Sequence, residues 1–490
     1  MKNRLFLLCF MTLITTGSLL CSEILHEVTI LHWNDFHSQN IPWRPTHYNP
    51  DNHEVGGYAY LAAVIDSLRD IYPNAVTLHA GDDFQGTPIS GITRGMSQIA
   101  ILNVIKPDFF TVGNHEFDYG LSRLLALKDS AEFKMYAANL RQSQEGQRLF
   151  KSMWVPENFP FDVAIIGLTT DDLYTLCLPT NLEDLYVENV TETAKYLTDS
   201  LTQEGIDFII AVTHLGIEED IKLAQNVPAI DLIIGGHSHT YMNKPRIEGN
   251  TYIVQASSQG RYLGEIHLQT DGKTIQTFDF NLLEIRPDNI SPNTKVLALV
   301  EKYETQAGDT LNQVIGELKS DWTREGVESN LGNWLTDAIR TYTGADIGIQ
   351  NNGGIRKGLS KGPIRIRDIW EITPFGNNIV TFTVTGKEIC NMLDVQVKQG
   401  ISLQFSGVSF IADTAANKAK KVRVNGKRVI PWKKYTLATN NYVGEQIEKY
   451  LGLSPRQIHD TGIIDRDLFI KAVKDQKIID SNIENRITIR

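Results

Sequence analysis

Seven short runs of apolar and β-branched residues, at 28–33, 75–80, 108–113, 163–168, 207–214, 232–236 and 251–257, alternate with helix-like segments up to about residue 285. Runs that are apolar on both faces and bounded by turns predict strands covered on both sides, hence a layered α/β domain. The residues just after five of these runs are more constraining still. The first run ends in Asn34-Asp35-Phe36-His37 and the second in Gly81-Asp82-Asp83. The third ends in Gly113-Asn114-His115-Glu116, with Asp118 two residues further on; later runs end in Thr213-His214 and Gly235-Gly236-His237-Ser238-His239. If these strands are neighbours in one sheet, the five ends meet along its carboxyl edge, where open α/β sheets bind their ligands.

The residue types at those ends have one chemistry in common. Asp35, His37, Asp82, Asn114, His214, His237 and His239 offer oxygen and imidazole nitrogen, with no thiolate among them. Such a set suits divalent Zn, Mn or Co. Seven potential ligands exceed the needs of one tetrahedral ion, so two divalent metal ions sharing a bridging carboxylate are the economical reading. A single histidine at a strand end is usually a hydrogen-bonded structural residue. Five motifs in order, each behind an apolar run, do not fit that account.

A length of 490 residues fits two domains. Ser291-Pro292 predicts a helix start, residues 294–306 carry Val296, Leu297, Val300 and Tyr303 on one side, and Gly308 ends the helix. This is read as a connecting helix. From residue 311 onward, Gly-punctuated and β-rich segments predict an α+β second domain. At the other end, residues 1–22 have Lys2 and Arg4, then an apolar stretch from Leu5 to about Ile14, then small residues. That is the layout of a secretory signal peptide, with an apolar core short for a membrane span. Cys21 follows Ser18-Leu19-Leu20, a loose match to a lipoprotein box with a bulky Leu20 where a small residue belongs. Lipid anchorage through Cys21 and soluble export therefore stand as alternatives, with a periplasmic or cell-surface location in either case. Cys177 and Cys390 remain after processing by either route, expected as free, buried thiols. With 47 basic and 58 acidic side chains the formal charge is -11, and no long Lys/Arg run interrupts it. Long nucleic acid is thus a poor partner, whereas small phosphate esters are not excluded. Nothing in the sequence speaks to oligomeric state.

The strand-end motifs resemble the calcineurin-like metallophosphoesterase signature, and the chain as a whole resembles the secreted 5′-nucleotidases. Gly56-Gly57 and Phe84-Gln85-Gly86-Thr87-Pro88 support this in the first half. In the second half the support comes from Glu328-Ser329-Asn330-Leu331-Gly332-Asn333, Asn351-Asn352-Gly353-Gly354-Ile355-Arg356, Pro374-Phe375-Gly376-Asn377 and Val384-Thr385-Gly386-Lys387-Glu388. The resemblance implies a signal peptide at 1–22 and a four-layer α/β/β/α metallophosphoesterase domain at 23–290. A connecting helix at 291–310 and an α+β C-terminal substrate-binding domain at 311–490 would come next.

It also implies roles. One metal would be held by Asp35, His37, Asp82 and His239, and the second by Asp82, Asn114, His214 and His237, with Asp82 bridging. His115, paired with Asp118, would stabilise charge developing on the phosphate and leaving group. Arg356 would contact phosphate, Asn351 and Asn377 would line the pocket, Phe375 would stack on a nucleobase, and Arg324 would be a further phosphate-binding arginine. The implied reaction is dephosphorylation of nucleoside 5′-phosphates, a small-molecule nucleotide being the partner, by metal-activated water. One stretch departs from the family: its aromatic followed by Gly-Gly-Asp-Gly is replaced by Thr439-Asn440-Asn441-Tyr442-Val443-Gly444-Glu445. Tyr442 can supply a second ring, but the glycine loop and its Asp are absent. Cyclic 2′,3′-nucleotides, UDP-sugars and dinucleotides are therefore alternative substrates. A non-catalytic nucleotide-binding protein is the reading from another class, and loss of a metal ligand would be its signature; none is lost.

Overall fold

In the computed structural model, which describes residues 25–45, 49–157, 159–454 and 456–490, every one of the seven apolar runs is a strand. The expected leader and Cys21 lie outside the described residues. The seven strands do not share a single sheet. Three of them, His26–Trp33, Val76–His79 and Phe109–Thr111, lie side by side and parallel in one six-stranded sheet. The other four, Val163–Thr169, Phe208–His214, Leu232–Ile234 and Thr251–Val254, form the parallel core of a second six-stranded sheet. The sheets pack face to face. Because side chains alternate along a strand, Ile30 points into the layer between the sheets and Leu31 into the outer layer.

Leu78 and Phe109 meet Ile165, Ile210 and Leu232 in the inner layer, each such side chain stabilising the fold by roughly 1.5–3 kcal/mol. Helices Tyr58–Ile71, Met96–Ile105 and Leu121–Ser130 cover the outer face of the first sheet. Helices Val190–Gln203 and Ile217–Asn226 cover the second, completing the α/β/β/α order. The sheets are also joined by hydrogen bonds: the Thr111 hydroxyl donates to the Val212 carbonyl at 2.9 Å, and that of Thr169 to Val112 at 2.6 Å. These contacts bring the carboxyl ends of both sheets to one end of the domain.

The connecting helix is longer than its sequence pattern predicts, Thr294–Asn312, and it is capped by Asn293, whose side chain accepts from the Lys295 and Val296 N–H groups. Gly308 does not end it but kinks it, at φ 68° and ψ -177°, a conformation costly for any residue with a Cβ. Val296 and Val300 are buried in the first domain's core, so the helix up to the kink belongs mechanically to that domain. One turn before the kink, an ion pair between Glu304 and Arg367 reaches from this helix to the second domain.

The second domain is α+β. Its main sheet runs Leu403–Ser406, Ile347–Asn351, Lys434–Asn440, Asn378–Thr385, His459–Ile464. Helices Asn330–Thr343, Gly386–Gln399 and Asp465–Gln476 pack on it, and smaller three- and four-stranded sheets flank it. Cys177 and Cys390 are free, Cys177 buried as expected but Cys390 only half-buried. No helix among the described residues is long and apolar enough to cross a membrane.

Candidate metal centre and substrate cleft

Three of the five strand-end motifs, those of Asp35, Asp82 and His237, leave their sheets through turns with left-handed backbone. Asp35, His37, Asp82, His237 and His239 all have φ between 49° and 75°. Interlocking backbone bonds hold the turns together: Asp35 N–H donates to the Gly81 carbonyl and His37 N–H to the Asp82 carbonyl. The Asp35 carboxylate accepts from the His237 N–H at 2.9 Å, which ties the two sheets' edges to each other. Gly113 has no side chain for a reason, since a Cβ there would collide with Asp82 Oδ1.

The side chains then converge. His239 Nε2 lies 2.9 Å from His37 Nε2 and 3.3 Å from Asp35 Oδ1. His214 Nε2 lies 3.0 Å from Asp82 Oδ2 and 3.2 Å from Asn114 Oδ1. Asp35, His37 and His239 form one group that could hold a metal ion, and Asp82, His214 and His237 another; a third, His37, Asp82 and His115, shares a residue with each. The donor set fits divalent cations on its own chemistry. His214 Nδ1 donates to the Ala80 carbonyl at 2.7 Å, which leaves its Nε2 facing two oxygen acceptors. A proton or a cation is needed among those lone pairs. Burial disfavours charge on His214, yet the Asp82 carboxylate outweighs it and lifts the imidazole to about 10. The proton held there is the one a divalent ion would displace. His237, by burial and then by the His214 charge, is lowered to about 4, and His37 is likewise pushed well down by burial and by His239. Both are therefore neutral, as metal-binding imidazoles must be.

His115 is set apart from these. Its Nδ1 donates to Asp118 Oδ2 at 2.8 Å, leaving Nε2 3.9 Å from Asp82 Oδ2. Burial lowers its basicity, but Asp118 and Asp82 together raise it above the ordinary imidazole value. From the second domain, the Phe375 ring stands 5.8 Å from the His115 ring, and the Arg356 guanidinium lies 6.0 Å from the Phe375 ring. Arg324 donates to the Ile355 and Arg356 carbonyls at 2.9 and 2.7 Å, so two guanidinium-bearing residues share one wall. Asn351, Asn377 and Tyr442 line the same cleft, whose volume is about 630 Å³. Every sequence-predicted site residue lines it except Asp35 and His214, which are buried beneath its floor.

Residues 28–241 match the family model for calcineurin-like phosphoesterases, and residues 309–452 match that for the 5′-nucleotidase C-terminal domain. The chain belongs to the 5′-nucleotidase family. It is a phosphoester hydrolase of that type, with both family domains in order. The crystal structure of a 5′-nucleotidase precursor from Thermus thermophilus superposes with a TM-score of 0.87 at 28% identity, covering 95% of this chain and 99% of that one. Protein UshA of Escherichia coli K12 is 27% identical, over 94% of this chain and 92% of that protein. The trifunctional nucleotide phosphoesterase protein YfkN of Bacillus subtilis is 28% identical over 92% of this chain, which spans about a third (34%) of YfkN's length.

Several residues of this 5′-nucleotidase-family site were not singled out by sequence reasoning. Glu116, fully buried, accepts from the N–H groups of Asp82, Asp83, Phe84 and Gly113 at 2.9, 2.8, 3.2 and 2.7 Å, clasping two metal-centre loops at once. Asn34 donates to Asp35 Oδ2 and to the Ser257 carbonyl, both at 2.6 Å. Both adjoin a motif residue, which is the one signal the sequence carried. Lys357, on the same cleft wall, is paired with Glu371. The divergent stretch has become the end of the strand Lys434–Asn440 and a short helix, Asn441–Glu445. There the Tyr442 hydroxyl donates to the first domain's Thr175 carbonyl at 2.8 Å, with the Tyr450 ring 5.9 Å away.

Proposed function

We propose that this chain is an exported hydrolase that uses two divalent ions, of Zn, Mn or Co, to dephosphorylate nucleoside 5′-phosphates. The observation that carries the reading is the approach of Phe375 to His115 across the domain boundary. It places an aromatic face and a guanidinium beside a cluster of imidazoles and carboxylates, which matches the parts of a nucleotide. Asp35, His37, Asp82 and His239 would hold one ion, and Asp82, Asn114, His214 and His237 the other. Divalent ions at such a centre supply Lewis-acid polarisation of the phosphoryl group and make hydroxide available near neutral pH.

The chain's own side chains do the rest. Asp118 fixes the tautomer of His115, so that Nε2 is the atom turned toward the cleft; a proton held there meets the negative charge that develops as the ester oxygen departs. Arg356 and Arg324 bring positive charge to the phosphate from the other wall. Phe375 offers a stacking face that tolerates any base. Gly308 is the one kink in the connecting helix and is the natural hinge for moving the second domain with its nucleoside. The leader at residues 1–22 would export the chain.

A second reading keeps the centre and changes the substrate to cyclic 2′,3′-nucleotides, UDP-sugars or dinucleotides. The Asn441–Glu445 helix, standing where the family's glycine loop is expected, favours it. The test uses the chain from Glu23 onward, stripped with chelator and reloaded with Mn²⁺. Phosphate release is followed from AMP, and loss of substrate by chromatography from 2′,3′-cyclic AMP and UDP-glucose, whose first cleavage leaves phosphomonoesters and no free phosphate. Metal-dependent release from AMP is expected. Silence on AMP with turnover of either other substrate would move the function to the second reading, and silence on all three would refute both.

A further inference from the structure

Although the chain is acidic as a whole, residues 414–444 contain no Asp or Glu and eight Lys or Arg, all between 418 and 434. They occupy the hairpin Lys418–Val424 and Lys427–Arg428, at the edge of the four-stranded sheet, and the loop after it. All eight side chains are exposed. Lys418 is paired with Asp394 at 2.7 Å and Lys420 with Asp413. Asp346 accepts from the Thr436 N–H, and Asp337 and Glu484, which share a hollow with the hairpin's Asn425 and Gly426, are paired with Arg486. Among the described residues, Lys421, Arg423, Lys427, Arg428, Lys433 and Lys434 have no carboxylate partner. Arg423 and Arg428 are directly opposite each other in the register, a like-charge arrangement that costs stability unless an anion meets it.

The loop between these cations is apolar at its tip. Ile430 is 42% exposed and Trp432 83%, the highest value for any large apolar side chain among the described residues. The chain's other six tryptophans are buried or half-buried. The tip is not a loose loop: the Gly386 N–H donates to the Lys433 carbonyl at 3.0 Å, the Lys387 N–H to that of Pro431 at 2.9 Å, and Ile430 N–H to the Tyr435 hydroxyl at 3.1 Å. Tertiary structure thus holds an indole out in solvent with cations on both shoulders.

We propose that this edge is a docking surface for an anionic phospholipid bilayer, with Trp432 and Ile430 entering the headgroup region and the unpaired Lys and Arg side chains facing lipid phosphates. An indole with an apolar body and one N–H is suited to that region, and each Lys or Arg near an anionic leaflet adds attraction that fades within a Debye length. A single protruding aromatic tip, in place of a groove with several stacking rings, favours a bilayer over single-stranded nucleic acid. None of these residues lines the cleft, so the surface is independent of the catalytic reading.

The test is vesicle flotation of the chain from Glu23 onward, which retains every described element. Binding to phosphatidylcholine vesicles containing phosphatidylglycerol is expected, with release at high salt. Partitioning should fall about tenfold in Trp432→Ala and about 30-fold in the double variant Lys427→Gln with Arg428→Gln. Phosphate release in all variants should equal the parent's, which verifies the fold. Equal binding to pure phosphatidylcholine, or unchanged binding of the variants, would overturn the proposal. Retention on heparin without vesicle binding would overturn it in favour of a soluble polyanion.

Discussion

Replacing Glu116 by Gln probes how much of the metal centre depends on one carboxylate that touches neither substrate nor the proposed ions. One oxygen of Glu116 takes the Asp82 and Gly113 N–H groups at 2.9 and 2.7 Å; the other takes Asp83 and Phe84 at 2.8 and 3.2 Å. An amide NH₂ can replace only one of them. It should take the second position, where the bonds are longer, and leave two buried N–H groups facing a donor. Each unsatisfied donor costs about 1–3 kcal/mol. Removing a buried charge, which burial and then the Asp82 charge already push up to about 7, offsets part of this. A net loss of roughly 3 kcal/mol corresponds to a drop of about 6–12 °C in the first domain's melting temperature. Because the same bonds position Asp82, the Mn²⁺ concentration for half-maximal phosphate release should rise about 10–100-fold. Calorimetry in chelator gives the first quantity and a Mn²⁺ titration the second. A variant with the parent's melting temperature and metal dependence would refute the reasoning; a lower melting temperature with unchanged metal dependence would reduce Glu116 to a stability role.

His115→Ala should lower phosphate release from the best substrate about 10²–10⁴-fold while elemental analysis finds the metal content unchanged; an unaltered rate would remove His115 from the chemistry. Asp465 is fully buried at the start of the helix Asp465–Gln476, and burial raises its carboxyl to about 7. In the unfolded chain it ionises near 3.8. Its protonated form therefore stabilises the fold fully below that value, and the contribution is lost as pH rises to 7, by roughly 4 kcal/mol in all. Asp465→Asn should flatten this slope, seen as a difference in denaturant stability between parent and variant that grows from pH 4 to pH 7; parallel curves would show that burial does not hold the proton.

The candidate metal centre was legible because each of its residues follows closely on a strand. An apolar run predicts a buried strand, and the residue after a strand must lie at the sheet's edge, so Asp35, Asp82, Asn114 and His214 are located by purely local patterning. The same logic could not tell that the edges belong to two sheets. Which strands pair depends on contacts far apart in the chain, and His37 meets His239 across 202 positions. Glu116 looked like one more residue of its motif, since its role lies in backbone donors from another turn. The continuation of the connecting helix past Gly308 was hidden as well, because a glycine reads as a helix stop until packing on either side outweighs it.

Composition misled in one place: a net charge of -11 sums over the whole chain and conceals eight cations gathered at one edge. Nor does a tryptophan between a proline and a lysine announce whether it is core or surface. The sequence by itself determined seven core strands of the first domain, the donor chemistry at their ends and the two-domain order, since these depend on periodicity and residue type within a few positions. Only the tertiary structure decided which donors face one another, where Phe375 meets His115, and that Trp432 is left in solvent. Those are distances between segments remote in sequence, and they are set by the packing of sheets and helices on both sides.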